Sequence, residues 1–248
     1  PVLSPNDPLK PDMRNTVTGP SLDRPLGTDY LGRDMVSRII YGTRMSLFVA
    51  ITSTLLGTTA GAIWGVASGF LGGRFDLLSQ RVVEIMQAFP VVLFALLLAT
   101  ALGAGVWTVI LAIGVTRISY GSRIIRAQAL GVKEMPYVDA ARAVGASQIR
   151  IMVVHIGPQC VAPFIVLVTM YLGVAIMIEA TLGFLGFGVP PPTPTWGAML
   201  GETSSFLRPP WHLVMFPGAA IAVSVLALNL MGDGIRDALD PRLRGAFA

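Results

Sequence analysis

Residues 137–158, YVDAARAVGASQIRIMVVHIGP, form the longest polar-interrupted segment between two membrane-length apolar runs. Tyr137, Ala140, Ala141 and Val144 recur at helical spacing on one face, and Asp139 and Arg142 flank them as a carboxylate and guanidinium three residues apart. Gly145 ends this helix where the backbone most readily turns left-handed. From Gln148 to Val154 a helical pattern restarts and runs into Pro158, which is expected to open the next apolar span. A compact, alanine-faced helix held at a membrane surface by two spans is a shape another protein can grip. The alternative is an ordinary loop helix with no partner.

Working outward, the flanking runs are what make this segment an exception. The chain is 53% hydrophobic and only 13% charged, with a mean hydropathy of +0.68. That is more apolar surface than a single water-soluble core of this length can hide. The net charge of +4 does not point to nucleic acid, because the basic residues are scattered between apolar runs and form no continuous face. The one cysteine, Cys160, can form no intrachain disulfide, and a cysteine-based metal site is not expected. The chain starts at Pro1 with no methionine and no signal peptide, so its beginning is expected to be missing.

Five spans are predicted. Residues 45–70 carry no charge over 26 positions, enough to cross a core of about 30 Å at about 1.5 Å per residue. Gly57, Gly61, Gly65 and Gly69 fall in one stripe along it, which lets another helix approach backbone to backbone. Residues 71–81 read as a short loop. The 32 uncharged residues from 85 to 116 are too long for one upright helix, and the glycines at 103 and 105 divide them. Two spans, 82–102 and 106–126, are therefore expected, the second ending in Arg117, Arg123 and Arg126 with side chains long enough to reach headgroups. A loop over 127–157 leads to a span at 158–182. The glycine- and proline-rich stretch 181–211 is expected to be a folded loop or short re-entrant segment, and residues 213–231 supply the last span. Ahead of the first span, residues 1–29 read as an extended or poorly ordered arm. Residues 30–44 read as an amphipathic helix lying on the membrane surface.

With the 127–157 loop inside, the inner segments hold eleven basic residues and the later outer loops only Arg208, as the positive-inside rule requires. The arm runs against the rule, with six basic residues among five aspartates on the outer side.

No phosphate-binding G-x-x-x-x-G-K-[ST] loop is present, so the chain is not expected to bind or hydrolyse ATP. The two histidines, His155 and His212, lie on opposite sides in this topology and are not expected to share a metal. No hydrolase motif appears, and no catalytic residue is assigned. Glu179 is the one carboxylate deep within a span. An acid there costs about 2.5–3.5 kcal/mol on insertion scales, so it should face protein or water. A hydrogen bond to a neighbouring helix and a place lining or gating a path both stay open. An ion-coupled carrier acting alone would be expected to hold more intramembrane acids than this.

The order of residues adds a resemblance. Asp139-Ala140-Ala141, Gly145 and Pro158 keep the spacing of the cytoplasmic "EAA" loop of ABC importer permeases, with aspartate for the usual glutamate and with His155 and Gly157 where the pattern has isoleucine and leucine. Together with residues 25–47, 181–200 and 229–244, the chain resembles the second permease subunit of the dipeptide, oligopeptide and nickel importers. The resemblance implies an all-α membrane protein with the type I ABC importer transmembrane domain, of six spans in the family and five here. It implies three parts: an extracytoplasmic arm and interfacial helix over 1–44, a permease domain over 45–232 with a coupling loop at 127–157, and a cytoplasmic tail over 233–248. The implied location is the inner (plasma) membrane. The implied partners are a homologous permease, two ATPase subunits holding ATP and Mg, and an extracytoplasmic substrate-binding protein. Tyr137, Asp139, Ala140, Ala141, Arg142, Val144, Gly145 and Pro158 would then be the coupling residues. The solute stays open among dipeptides, oligopeptides, glutathione and nickel.

Overall fold

The computed structural model describes residues 4–239, whose regular structure is helical throughout. The order is α1 (Met35–Leu71), α2 (Gly73–Ala88), α3 (Val91–Leu102), α4 (Val106–Lys133), α5 (Pro136–Ala143), α6 (Gln148–Arg150), α7 (Val161–Phe184), α8 (Trp196–Glu202) and α9 (Trp211–Leu239). Between α6 and α7 the helix continues through a π-helical turn, Ile151–Ile156, and a 3-10 turn, Gly157–Cys160. Four helical stretches, Met35–Leu71, Val106–Lys133, Gln148–Phe184 and Trp211–Leu239, are long and apolar enough to cross a membrane, and α2 with α3 makes a fifth, bent pass.

The organising contact is α1 against α4, which run parallel. A Cβ on Gly57 would sit 2.1 Å from the Gly114 carbonyl oxygen, one on Gly61 2.6 Å from that of Ile118, one on Gly65 2.5 Å from that of Ser122, and one on Gly69 2.9 Å from that of Arg126. The stripe thus meets a backbone every turn, and only hydrogen fits. Two parallel neighbours need a return pass between them, which α2 and α3 supply. α3 then turns through Gly103, with φ of +82°, to pack beside α4. On the other side, α9 runs antiparallel to α7, with Asn229 against Gly173 and Gly232 against Thr169.

Several expectations are corrected. Residues 30–44 are not a separate surface helix: Asp34 caps α1 by accepting from the Ser37 N–H, and the helix runs unbroken from Met35. At about 1.5 Å per residue α1 is some 55 Å long, so its first turns stand clear of a 30 Å core. There Ser37, Arg38 and Gly42 are buried by the arm and α8 rather than lying on lipid. The arm itself is folded, with the Val17 N–H donating to Asp29, Thr28 to Thr18 and Asp12 to Leu31. The loop expected over 71–81 is helix α2, held by Asp76, which accepts from Ser68 and pairs with Arg126 at 2.5 Å. The straight span at 82–102 is bent by 93° at Phe89 and Pro90, where proline withholds an N–H from the helical ladder. The 127–157 loop is largely helical, since α4 runs on to Lys133. Pro158 lies inside a continuous helix and does not open it. The tail predicted over 233–248 is helical to Leu239, and residues 240–248 lie outside the described ones.

Candidate functional site

α5 stands at the end of the bundle where α1 and α4 finish. Its C-terminus is a complete glycine stop. Gly145, with φ of +81°, donates to the Arg142 carbonyl, and Ala146 donates to that of Ala141 at 3.0 Å. This paired pattern satisfies the carbonyls that the last helical turn leaves open. The inward face is Val138 (0% exposed) and Ala141 (7%), packed on Phe70, Ile125, Ala129, Val132 and Ile151. Arg142 lies over the Phe70 ring at 6.0 Å and Lys133 over it at 5.9 Å, so the end of α1 is gripped from two sides. Arg142 also pairs with Asp139 at 2.8 Å.

The sequence-derived face is therefore split. Ala141 points into the protein with Val138, whereas Tyr137, Ala140 and Val144 are exposed, Val144 by 84%. Ile149, 70% exposed, continues this apolar ledge beyond the glycine stop. Tyr137, Ala140 and Val144 stand on a helix whose Val138 and Ala141 are buried. Pro158 lies on the adjoining helix, and the Tyr137 hydroxyl reaches the His155 carbonyl at 3.5 Å to join the two.

Glu179 is far from α5, at the opposite end of α7. It is wholly buried between α1 and the segment leading into α8. The hydroxyls of Ser46 and Thr195 are its polar neighbours. Neither closes a well-formed hydrogen bond to its carboxylate oxygens among the described residues. The same wall seats Trp196, which donates from its indole to the Ile39 carbonyl at 3.2 Å and from its backbone to Ser46. Gly197 touches the Ala180 backbone and Gly183 touches Gly197 in turn, which is why the 181–200 stretch needs its glycines.

Two charge arrangements went unrecognised in the sequence. Arg117 was expected to reach headgroups but is 3% exposed, held between the rings of Tyr171 at 5.1 Å and Tyr120 at 5.9 Å. Arg126 is likewise engaged, with Asp76. At the arm end Asp29, Arg33, Arg38 and Glu202 close a ring. Arg33 meets Asp29 at 2.6 Å and Glu202 at 3.2 Å, while Arg38 meets Glu202 at 2.7 Å and also Asp29. The separation of 164 residues between Arg38 and Glu202 hides this pairing from any local pattern. No three His, Cys, Asp or Glu side chains among the described residues gather as metal ligands.

Known proteins give this architecture a context. The family model described as binding-protein-dependent transport system inner membrane component matches residues 39–245. A peptide transport system permease protein of Brucella suis biovar 1 is 42% identical over 244 residues, 98% of this chain and 82% of its own length. The glutathione transport system permease protein GsiD of Escherichia coli O1:K1 is 40% identical over 234 residues, covering 94% and 77%. Among solved structures, a chain of the inward-facing MetNI methionine ABC transporter superposes with a TM-score of 0.68 at 17% identity, covering 83% of this chain and 98% of that one, a likeness of fold. With its family match running through every membrane-length helix, this chain belongs to the binding-protein-dependent transport system inner membrane components and is an ABC importer permease.

Proposed function

We propose that this permease carries small peptides inward as one half of a translocation path, the other half being a homologous permease. Two ATPase subunits grip α5 and its counterpart, and an extracytoplasmic binding protein delivers the solute at the arm end. ATP with Mg, bound on those partners, supplies the energy. The observation that carries the coupling role is the exposed ledge of Tyr137, Ala140 and Val144 on a helix whose other face is locked to the bundle. A push on that ledge passes through Val138 and Ala141 to Phe70 and Ile125, hence to the ends of α1 and α4. Those two helices, in backbone contact along four glycines, then move as one body.

The orientation that suits this has α5 in the cytoplasm and residues 1–44 outside. Arg74, Arg81, Arg123, Arg126, Lys133, Arg142 and Arg150 all fall toward the α5 end, in keeping with the positive-inside rule. In this reading Trp196, bonded to the Ile39 carbonyl and to Ser46, anchors the α8 segment to α1, with Glu179 buried beside it. Peptide as the solute is supported by the Brucella relative, and glutathione, itself a tripeptide, by GsiD.

The test is the assembled importer in liposomes, with Val144→Cys placed in a Cys160→Ser background. A cross-link from position 144 to an ATPase subunit, with ATP-dependent uptake of labelled dipeptide, is expected. Uptake of glutathione but not dipeptide would move the solute to the second reading. A residue 144 reached only from outside, or solute movement by this chain without any ATPase, would overturn the coupling role.

A further inference from the structure

Beside the glycine stripe, another face of α1 leaves open space. Ala62, Ile63 and Val66 stand across from Cys160, Val161 and Phe164, with an apolar groove of about 400 Å³ between them. Toward α5 the same two walls line a second cleft, of about 330 Å³, between Phe70 and Leu71 of α1 and Gln148 and Ile151 beyond α5. Val66 and Phe70 are about one helical turn apart, and Ile151 directly precedes Met152 of the groove wall. Val66, Phe70, Ile151, Met152 and Phe164 pack in one core cluster, which joins the groove to the cleft.

The two differ in charge. Lys133 and Arg142 both line the cleft, and both stand over the Phe70 ring, at 5.9 and 6.0 Å. Asp139 engages only one nitrogen of Arg142, on the exposed side. Lys133 forms no ion pair among the described residues. Asp76, which feels the Lys133 charge, is already engaged by Arg126 and Ser68. Two cations drawn over one ring repel each other, and an anion held between them relieves that repulsion.

We propose that groove and cleft together bind one anionic phospholipid of the cytoplasmic leaflet, an acyl chain in the groove and the phosphate between Lys133 and Arg142. The choice of leaflet rests on the reading of α5 as cytoplasmic. A guanidinium offers paired N–H donors to phosphate and an ammonium a point charge, and the Gln148 side chain stands in the same cleft. Basic clefts between helices at this surface suit anionic headgroups. A zwitterionic headgroup brings its own cation beside the two already there. Free phosphate has nothing to place in the groove, and an apolar helix of another subunit leaves the cations unmatched. Lys133 ends α4 and Arg142 lies in the last turn of α5, so a phosphate held by both ties the coupling helix to the bundle.

The test places the assembled importer in phosphatidylcholine liposomes that carry a small fraction of a probe with a photoactivatable acyl chain, either phosphatidylglycerol or phosphatidylcholine. Labelled peptides are mapped by mass spectrometry. Labelling of residues 62–67 and 152–164 by the glycerol probe is expected to exceed that by the choline probe severalfold. Lys133→Gln combined with Arg142→Gln is expected to bring the two level, and Lys133→Arg to keep the difference. Equal labelling of the unaltered protein by both probes makes the groove ordinary lipid-facing surface and overturns the proposal. So does a preference that survives loss of both cations. Labelling by neither probe in the complex, with labelling of the isolated subunit, gives the groove to a partner subunit and overturns it as well. The probes occupy both leaflets, so this readout does not depend on which way α5 faces. The cross-link from position 144 to the ATPase reads that separately, and its loss overturns the reading of α5 and not the lipid site.

Discussion

Gly145 carries a positive φ that costs a side chain about 1 kcal/mol, and the two hydrogen bonds that finish α5 depend on it. Gly145→Ala is expected to leave the bundle intact, to increase protease cleavage between residues 143 and 148, and to lower uptake. Undiminished protection would show that α5 is held by its inward face alone. The stripe residues behave differently, because their neighbours are backbone. Gly61→Val places a side chain against Ile118 and Ser122 and should cost about 1–3 kcal/mol or more, read as a clear fall in Tm of the detergent-solubilised subunit. Both glycine roles were legible in the sequence, one from its place after a helical run and the other from its period of four. The partner of the stripe was not legible, since a spacing says what can approach but not which helix does. Arg117 shows the limit from the other side: a cation near the end of an apolar run looks like a headgroup ligand until Tyr171, more than fifty residues later, is seen to cover it.

At the level of elements, the uncharged apolar runs located the spanning helices but missed most of α2, read as a loop, and misplaced several ends. The apolar run from 85 to 116 has no charge to mark where it bends, and the bend at Phe89 and Pro90 follows from a missing N–H combined with packing of Ala95 and Ala99 on the core. The split of α5 into a buried and an exposed face was also beyond reach, because alanine suits both. It separates two variants that look alike on paper. Ala141→Arg forces a long cation into the site beneath α5 and is expected to lower Tm and the amount of subunit in the membrane. Val144→Asp, on the exposed ledge, is expected to leave both unchanged while uptake falls. Equal loss of Tm in the two variants would mean the ledge is packed against something within the subunit.

For the molecule as a whole, the arm's basic residues were the one conflict with the positive-inside rule. The fold pairs three of the six locally: Arg24 meets Asp12 at 2.9 Å, and Arg33 and Arg38 join the ring with Asp29 and Glu202. Glu202→Gln leaves two buried guanidiniums sharing one carboxylate and should cost about 1–3 kcal/mol, seen as a lower Tm and faster proteolysis of the arm. Retained stability would mean that Asp29 alone suffices. Glu202→Asp is expected to recover part of the loss.

That ring also sets a timetable for biogenesis. Asp29, Arg33 and Arg38 leave the ribosome before Glu202, and Asp29 can balance only one of the two arginines; the second counter-charge comes with α8, after four of the five passes that the described residues make. Until then the nascent subunit exposes an unmatched cation at that end. A chain truncated before residue 202 lacks that second counter-charge and is expected to be degraded faster than the full chain, read as its half-life in a pulse-chase.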